Sequence, residues 1–196
     1  MAVGTIPFAP SDEALLKKAG AGDREALDEL FKRYRQVAYR VAHRLLGNEA
    51  DALDAVQEGF VKALVHLPSF QGRSSFKTWI LRVVSNASLD LGRQRARRET
   101  ISMDALGPHH REECEPVVLA DPARQLVGRD LRRILQTALG QLPEAQRQTF
   151  VLHAEAELSY REVAEVLGIS IGTVMSRLYY ARLRLRTLLE PWTKSE

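Results

Sequence analysis

Leu158 to Arg186 reads LSYREVAEVLGISIGTVMSRLYYARLRLR, the pattern of two short helices joined by a tight turn. Ser159 is placed to N-cap the first helix, and Glu162, three residues on, completes a capping box. Val163, Ala164, Val166 and Leu167 supply its apolar face, and Gly168 permits the left-handed backbone that ends it. Ser170 then caps a second helix on which Ile171, Val174, Leu178, Ala181 and Leu185 recur at three- and four-residue spacing, a single buried stripe. Thr173, Ser176, Arg177, Tyr180 and Arg184 are left pointing outward. A short helix bracing a second one with a polar, arginine-bearing outer face is the helix-turn-helix arrangement, whose second helix enters a DNA major groove. An ordinary helical hairpin would need only the apolar stripe. Here small Ala164, turning Gly168, capping Ser170 and the anchors Val174 and Leu178 each fill a separate steric role, which favours DNA reading.

Upstream, two further helices are predicted to pack beneath this pair. Asp121 caps one that carries Leu126, Val127, Leu131, Ile134, Leu135 and Leu139, and Pro143 takes the first helical position of PEAQRQTFVLHAEA, where its missing N–H costs nothing. Residues 122–192 are therefore expected to form one helical domain. The stretch before it, 99–121, sets Arg111 against six acids, lacks periodicity and reads as a flexible acidic linker. It holds His109, His110 and Cys114, but these match no standard zinc spacing, and the flanking acids would raise a thiol pKa. No metal or other cofactor is expected.

The remaining chain predicts a second helical domain over residues 11–98, after a disordered N-terminus of residues 1–10. Ser11 caps a short helix through Ala19 that Gly20 to Gly22 closes, and Asp23 starts a longer one striped by Leu27, Leu30, Phe31, Tyr34, Ala38, Val41 and Leu45. A third helix is predicted over Asp51–Leu67, with Leu53, Val56, Phe60, Leu64 and Leu67 inward and Asp54, Gln57 and Glu58 outward. A polar cluster of that kind is ordinarily a solvated face. Ser74 or Ser75 then caps FKTWILRVVSNASLDLGRQRARR, in which Lys77, Arg82, Arg93, Arg95, Arg97 and Arg98 face a single acid, Asp90. Aromatic faces and small polar side chains such as Asn86 beside a basic tract suit bases drawn out of the stack. Phe76 itself reads as core, and His43, His66 and His153 as structural or solvated.

The 196 residues are 45% hydrophobic, enough for two small cores, and the net charge of +3 says little until its blockwise distribution is seen. Cys114 stands alone, which excludes an internal disulfide and suits a reducing compartment. A signal pattern and a spanning apolar run are both missing, so a soluble cytoplasmic protein without membrane insertion is expected.

With these residues in view, the chain resembles a bacterial RNA polymerase sigma factor of the extracytoplasmic-function (ECF) group, from about Asp12 to Arg186. Asp51, Asp54, Val56, Gln57, Glu58 and Phe60 stand where that family has DAEDxxQExF. Phe70, Gly72, Ser75, Phe76, Lys77, Thr78 and Trp79 match its FxGxSSFxTW, and Asn86 with Asp90 matches its NxxxD. Leu142, Pro143, Glu144, Arg147 and Phe150 match the start of its region 4. The resemblance implies that Asp51, Asp54, Gln57 and Glu58 dock on core RNA polymerase. It implies that Lys77, Trp79, Arg82, Asn86, Asp90, Arg93 and Arg95 bind and melt the minus-ten element, with Asn86 bordering a flipped base. Ser170, Gly172, Thr173, Ser176, Arg177, Tyr180 and Arg182 would bind the minus-thirty-five element. It implies an anti-sigma partner, no catalysis by the chain itself, and a monomer when free.

Four departures stand out. Leu53 replaces a usual acid and Gly59 a usual β-branched residue, which would tune the polymerase contact; Met175 replaces a common Lys and Tyr180 a common Arg, which removes two phosphate contacts. A stand-alone regulator bound to an operator as a dimer would use the same helix-turn-helix without a polymerase surface.

Overall fold

The computed structural model describes residues 10–103 and 122–193, and among them every regular element is a helix. The first group comprises α1 (Asp12–Gly20), α2 (Arg24–Leu46), α3 (Glu49–His66), a 3-10 turn (Leu67–Ser69) and α4 (Phe76–Met103). The second comprises α5 (Pro122–Gly140), α6 (Glu144–Ala154), α7 (Tyr160–Leu167) and α8 (Ile171–Thr193). The ends follow local chemistry. Ser11 and Asp23 accept N–H groups of the first turns of α1 and α2, Ser75 Oγ accepts the Thr78 N–H at 3.1 Å, and Gly47 ends α2 at a φ of 84°. Asp12, in α1's first turn, is anchored to α2 by Arg33 at 2.6 Å and by the Tyr34 hydroxyl, whose pKa is pushed up by burial and by that carboxylate.

Several helix ends differ by a residue or two from the sequence expectation, and three of the differences bear on the reading. Asn48 caps α3, so the helix begins at Glu49 and Asp51 lies inside its first turn. Pro143 is the N-cap of α6 rather than its first residue. Helix α4 continues past Arg98 to Met103, so part of the expected linker is helical. The cluster of His109, His110 and Cys114 and the capping role given to Asp121 lie outside the described residues.

The inward face of α3 is the larger correction. Ala52, Ala55, Val56, Gly59 and Ala63 are buried, while Leu53, Val61, Leu64 and Val65 are exposed. The reason is how close α4 comes: a Cβ on Gly59 would stand 2.9 Å from Val84 Cγ2 and 3.1 Å from Val84 Cα. Small residues win the seam because bulky ones would hold the helices apart. Gly59 therefore serves α3–α4 packing and not an outward contact.

The two groups of helices also pack on each other. One buried cluster takes Leu30, Val41, Phe76, Ile80 and Leu81 from the first and Val151, Leu152, Val163 and Leu178 from the second. Arg44 Nε reaches Glu155 Oε1 at 2.6 Å, with Arg40 on the other carboxylate oxygen at 3.9 Å. Gln136 Nε2 donates to the Arg44 carbonyl at 3.2 Å. Beside this joint, burial holds the His43 imidazole below its ordinary pKa.

Candidate functional site

Three surfaces carry the side chains singled out by sequence. On α3, Asp54, Gln57 and Glu58 line a shallow depression together with Val61 and Lys62. Exposed Leu53 and Val61 flank them, so the face mixes carboxylates with bulky apolar groups. Glu58 pairs with Lys62 at 2.6 Å, one turn on. Asp51 is committed elsewhere: its amide and carboxylate hold Asn48, and Arg95 of α4 reaches the same carboxylate. One residue expected at the polymerase and one expected at DNA thus pair with each other, tying the start of α3 to the end of α4.

Along α4, Arg82, Asn86, Asp90 and Arg93 are exposed in one line. Trp79 is only partly exposed, because its ring lies 5.1 Å from Phe70 and 5.6 Å from Phe76, which is itself buried core. The second group of helices runs beside this line. Gln148 of α6 lies 3.5 Å from the Ser85 hydroxyl, and Arg93 Nε is 3.6 Å from Glu144. The Arg82 guanidinium stands 3.6 Å from where a Cβ of Gly168 would be. Lys77 is near enough to Glu162 to help lower its pKa.

In the helix-turn-helix, the Ser159 hydroxyl accepts the Glu162 N–H at 3.3 Å, and the Glu162 carboxylate takes the Ser159 amide at 2.8 Å and its hydroxyl at 2.7 Å. Those Ser159 bonds, more than Lys77, hold the Glu162 carboxyl below its ordinary value. Gly168 turns the chain at a φ of 65°, and Ser170 Oγ caps α8 through the Thr173 N–H at 3.1 Å. Ser170 and Thr173 also share a hydroxyl contact at 2.9 Å, and Ser176 donates to the Thr173 carbonyl at 3.0 Å. Val174, Leu178, Ala181 and Leu185 are buried as expected; Ile171 is exposed, since it sits at the helix start before the stripe meets α6. Gly172, Ser176, Tyr180 and Arg182 are exposed, and Thr173 and Arg177 are half-buried.

Sequence reasoning missed Arg40, Arg44, Gln136, Gln148 and Glu155, which join the two groups of helices. Their partners lie far along the chain, 111 residues apart for Arg44 and Glu155, so no local pattern could have found them.

A basic α4 line and a capped helix-turn-helix on one all-helical chain define a sigma-70 type of transcription factor. Residues 30–98 match sigma-70 region 2, and residues 132–185 match sigma-70 region 4. The ECF RNA polymerase sigma factor SigE of Mycolicibacterium smegmatis is 36% identical over 187 residues, 92% of this chain and 70% of that protein. SigW of Bacillus subtilis, another ECF RNA polymerase sigma factor, is 30% identical over 177 residues, 89% of this chain and 94% of that one. Among solved structures, CnrH in complex with the cytosolic domain of CnrY matches with a TM-score of 0.69 at 27% identity, over 93% of this chain and 99% of that one. The sigma factor RpoE in complex with the anti-sigma factor NepR from Bartonella quintana matches with a TM-score of 0.62 at 25% identity, over 83% and 97%. The chain belongs to the ECF sigma factors.

Proposed function

We propose that the chain docks on core RNA polymerase through the outward face of α3, at Asp54, Gln57 and Glu58 with Leu53 and Val61 beside them. It then directs the enzyme to promoters whose minus-thirty-five element α8 reads and whose minus-ten element α4 melts. The observation that carries this reading is the coexistence of three outward surfaces with different chemistry. A stand-alone DNA reader would need only the α8 face. Lys77, Arg82 and Arg93 would hold phosphates and Asn86 would border the flipped base, while Arg177, and the Ser176 oxygen as an acceptor only, would meet base edges.

The packed arrangement does not suit both promoter elements at once. Helix α7 touches α4 and α8, so the two DNA-directed surfaces lie about one helix diameter apart, roughly 10–12 Å. Elements centred about 25 base pairs apart are separated by roughly 85 Å of duplex, at 3.4 Å per pair. The halves therefore part when the chain loads onto polymerase. The structures of CnrH and RpoE were each determined with a bound partner; an anti-sigma partner of this chain would act by holding the parted halves out of use.

Run-off transcription with bacterial core RNA polymerase tests the reading. Chain-dependent transcripts from a discrete set of promoters are expected. Tight operator binding by the free chain without any transcript would favour the stand-alone regulator instead.

A further inference from the structure

The outward face of α8 is unusually apolar for a helix directed at a polyanion. Ile171, Met175, Tyr179 and Leu183 follow one another at four-residue intervals and are 46%, 55%, 64% and 49% exposed. Tyr180 adds a fifth exposed large side chain, its ring 5.3 Å from that of Tyr179. Few polar groups on this face remain free to read bases. Ser170 and Thr173 spend their hydroxyls on each other and on the helix cap, and the Ser176 proton goes to a backbone carbonyl. Even so, Ile171 to Leu189 contains four arginines and no acid. That charge fits DNA and would repel a basic partner surface.

Resting on the sigma-factor reading above, we infer that the ladder of Ile171, Met175, Tyr179 and Leu183 reads thymine C5-methyl groups in the upstream promoter element. The flanking arginines would supply phosphate contact. The thymine methyl is the one apolar feature that base pairs present in the major groove, and apolar side chains are its complement. Twelve residues of helix rise by about 18 Å, the length of about five base pairs. Each four-residue step also turns the side chain by about 40° around the axis, so it is neighbouring rungs of the ladder that can meet methyls in succession. Sequence choice at those positions comes from apolar contact, where a lysine at Met175 would supply only charge.

Replacing thymine by deoxyuridine removes the methyl and leaves every hydrogen-bonding group in place. The upstream element is first obtained by selecting random duplexes with the holoenzyme, and each of its thymines is then replaced singly in run-off templates. Transcription at limiting holoenzyme should fall about fourfold at two or more positions, the size of one buried carbon group. With Met175→Ser holoenzyme, the thymine-to-uracil ratio at one of those positions should drop to about one while the others keep theirs. Uracil templates used as well as thymine templates at every position would overturn the proposal and leave the sigma function standing. So would Met175→Ser and Leu183→Ser holoenzymes that transcribe like the wild type, which would give the stripe to a protein partner. Absence of transcript on any template would overturn both readings.

Discussion

Helices α4 and α8 are the two long, arginine-bearing helices proposed above to meet nucleic acid, yet they are built in opposite ways. Helix α4 is packed by α3, α2 and α7, and it buries Ile80, Leu81, Val84, Ser85 and Ser88 along its middle. Its charge is pushed to one line and to its far end. Helix α8 rests on α5, α6 and α7 along a single stripe, and its other faces hold Met175, Tyr179, Tyr180 and Leu183 out in the open. On the proposed reading, the contrast separates two ways of meeting DNA. One helix is the centre of the fold and offers only what its packing leaves over, whereas the other is a reading surface braced from behind. A change in α4 should therefore be felt first as lost stability, and a change on the α8 face first as altered binding.

The sharpest way to break this contrast is to truncate a leucine on each helix. Leu81 is fully buried, so Leu81→Ala should cost about 2–5 kcal/mol in denaturant unfolding. Leu183 is half exposed, and Leu183→Ala should stay within about 0.5 kcal/mol. Equal costs would mean that α8 is as much a scaffold as α4.

A smaller effect should come from the joint between the halves. The Arg44–Glu155 pair is short and only partly exposed, at 20% and 24%. Arg44→Met should remove about 1 kcal/mol of contact between the groups, below the usual range for a charged hydrogen bond because water still reaches it. Amide exchange in α7 should then quicken about fivefold, while α3, which does not share the joint, keeps its rate. Unchanged exchange in α7 would show that the apolar cluster alone holds the halves together.

What the sequence made legible is largely what is decided within one helical turn. The caps at Ser11, Asp23, Ser75, Ser159 and Ser170 and the left-handed stop at Gly168 all bond to residues at most a few positions away. The α8 stripe was readable for the same reason, except at Ile171, where the helix has not yet reached its support. The orientation of α3 was not. Its large residues suggested an inward Leu53 and Leu64, but the seam is decided by Val84 on another helix, which leaves room for Gly59, the alanines and Val56. Of the site, the outward position of Asp54, Gln57 and Glu58 was readable from spacing, and only the family resemblance gave it a meaning. The commitment of Asp51 to Arg95 and the joint at Glu155 depend on partners brought from afar, which periodicity does not encode.

The smallest expected effect is the pH-dependent share of one cap on α7, the short helix that touches both α4 and α8. Ser159→Ala deletes the hydroxyl that caps the helix and that binds the Glu162 carboxylate at 2.7 Å, at a cost of about 1 kcal/mol. Part of that cost must depend on pH. The Ser159 bonds, with Lys77 adding a lesser share, hold the Glu162 pKa below its ordinary 4.5, so their stabilisation is complete above that pH. It is lost as pH falls through the lowered folded-state value, where the carboxyl is protonated in both states. The bond from the Glu162 N–H to the Ser159 hydroxyl involves no titrating group and persists. The melting-temperature gap between wild type and variant should therefore be widest near neutral pH and narrow, without closing, in acid. A gap that stayed constant would place the cap's contribution wholly in the neutral bond and leave α7 indifferent to the charge of Glu162.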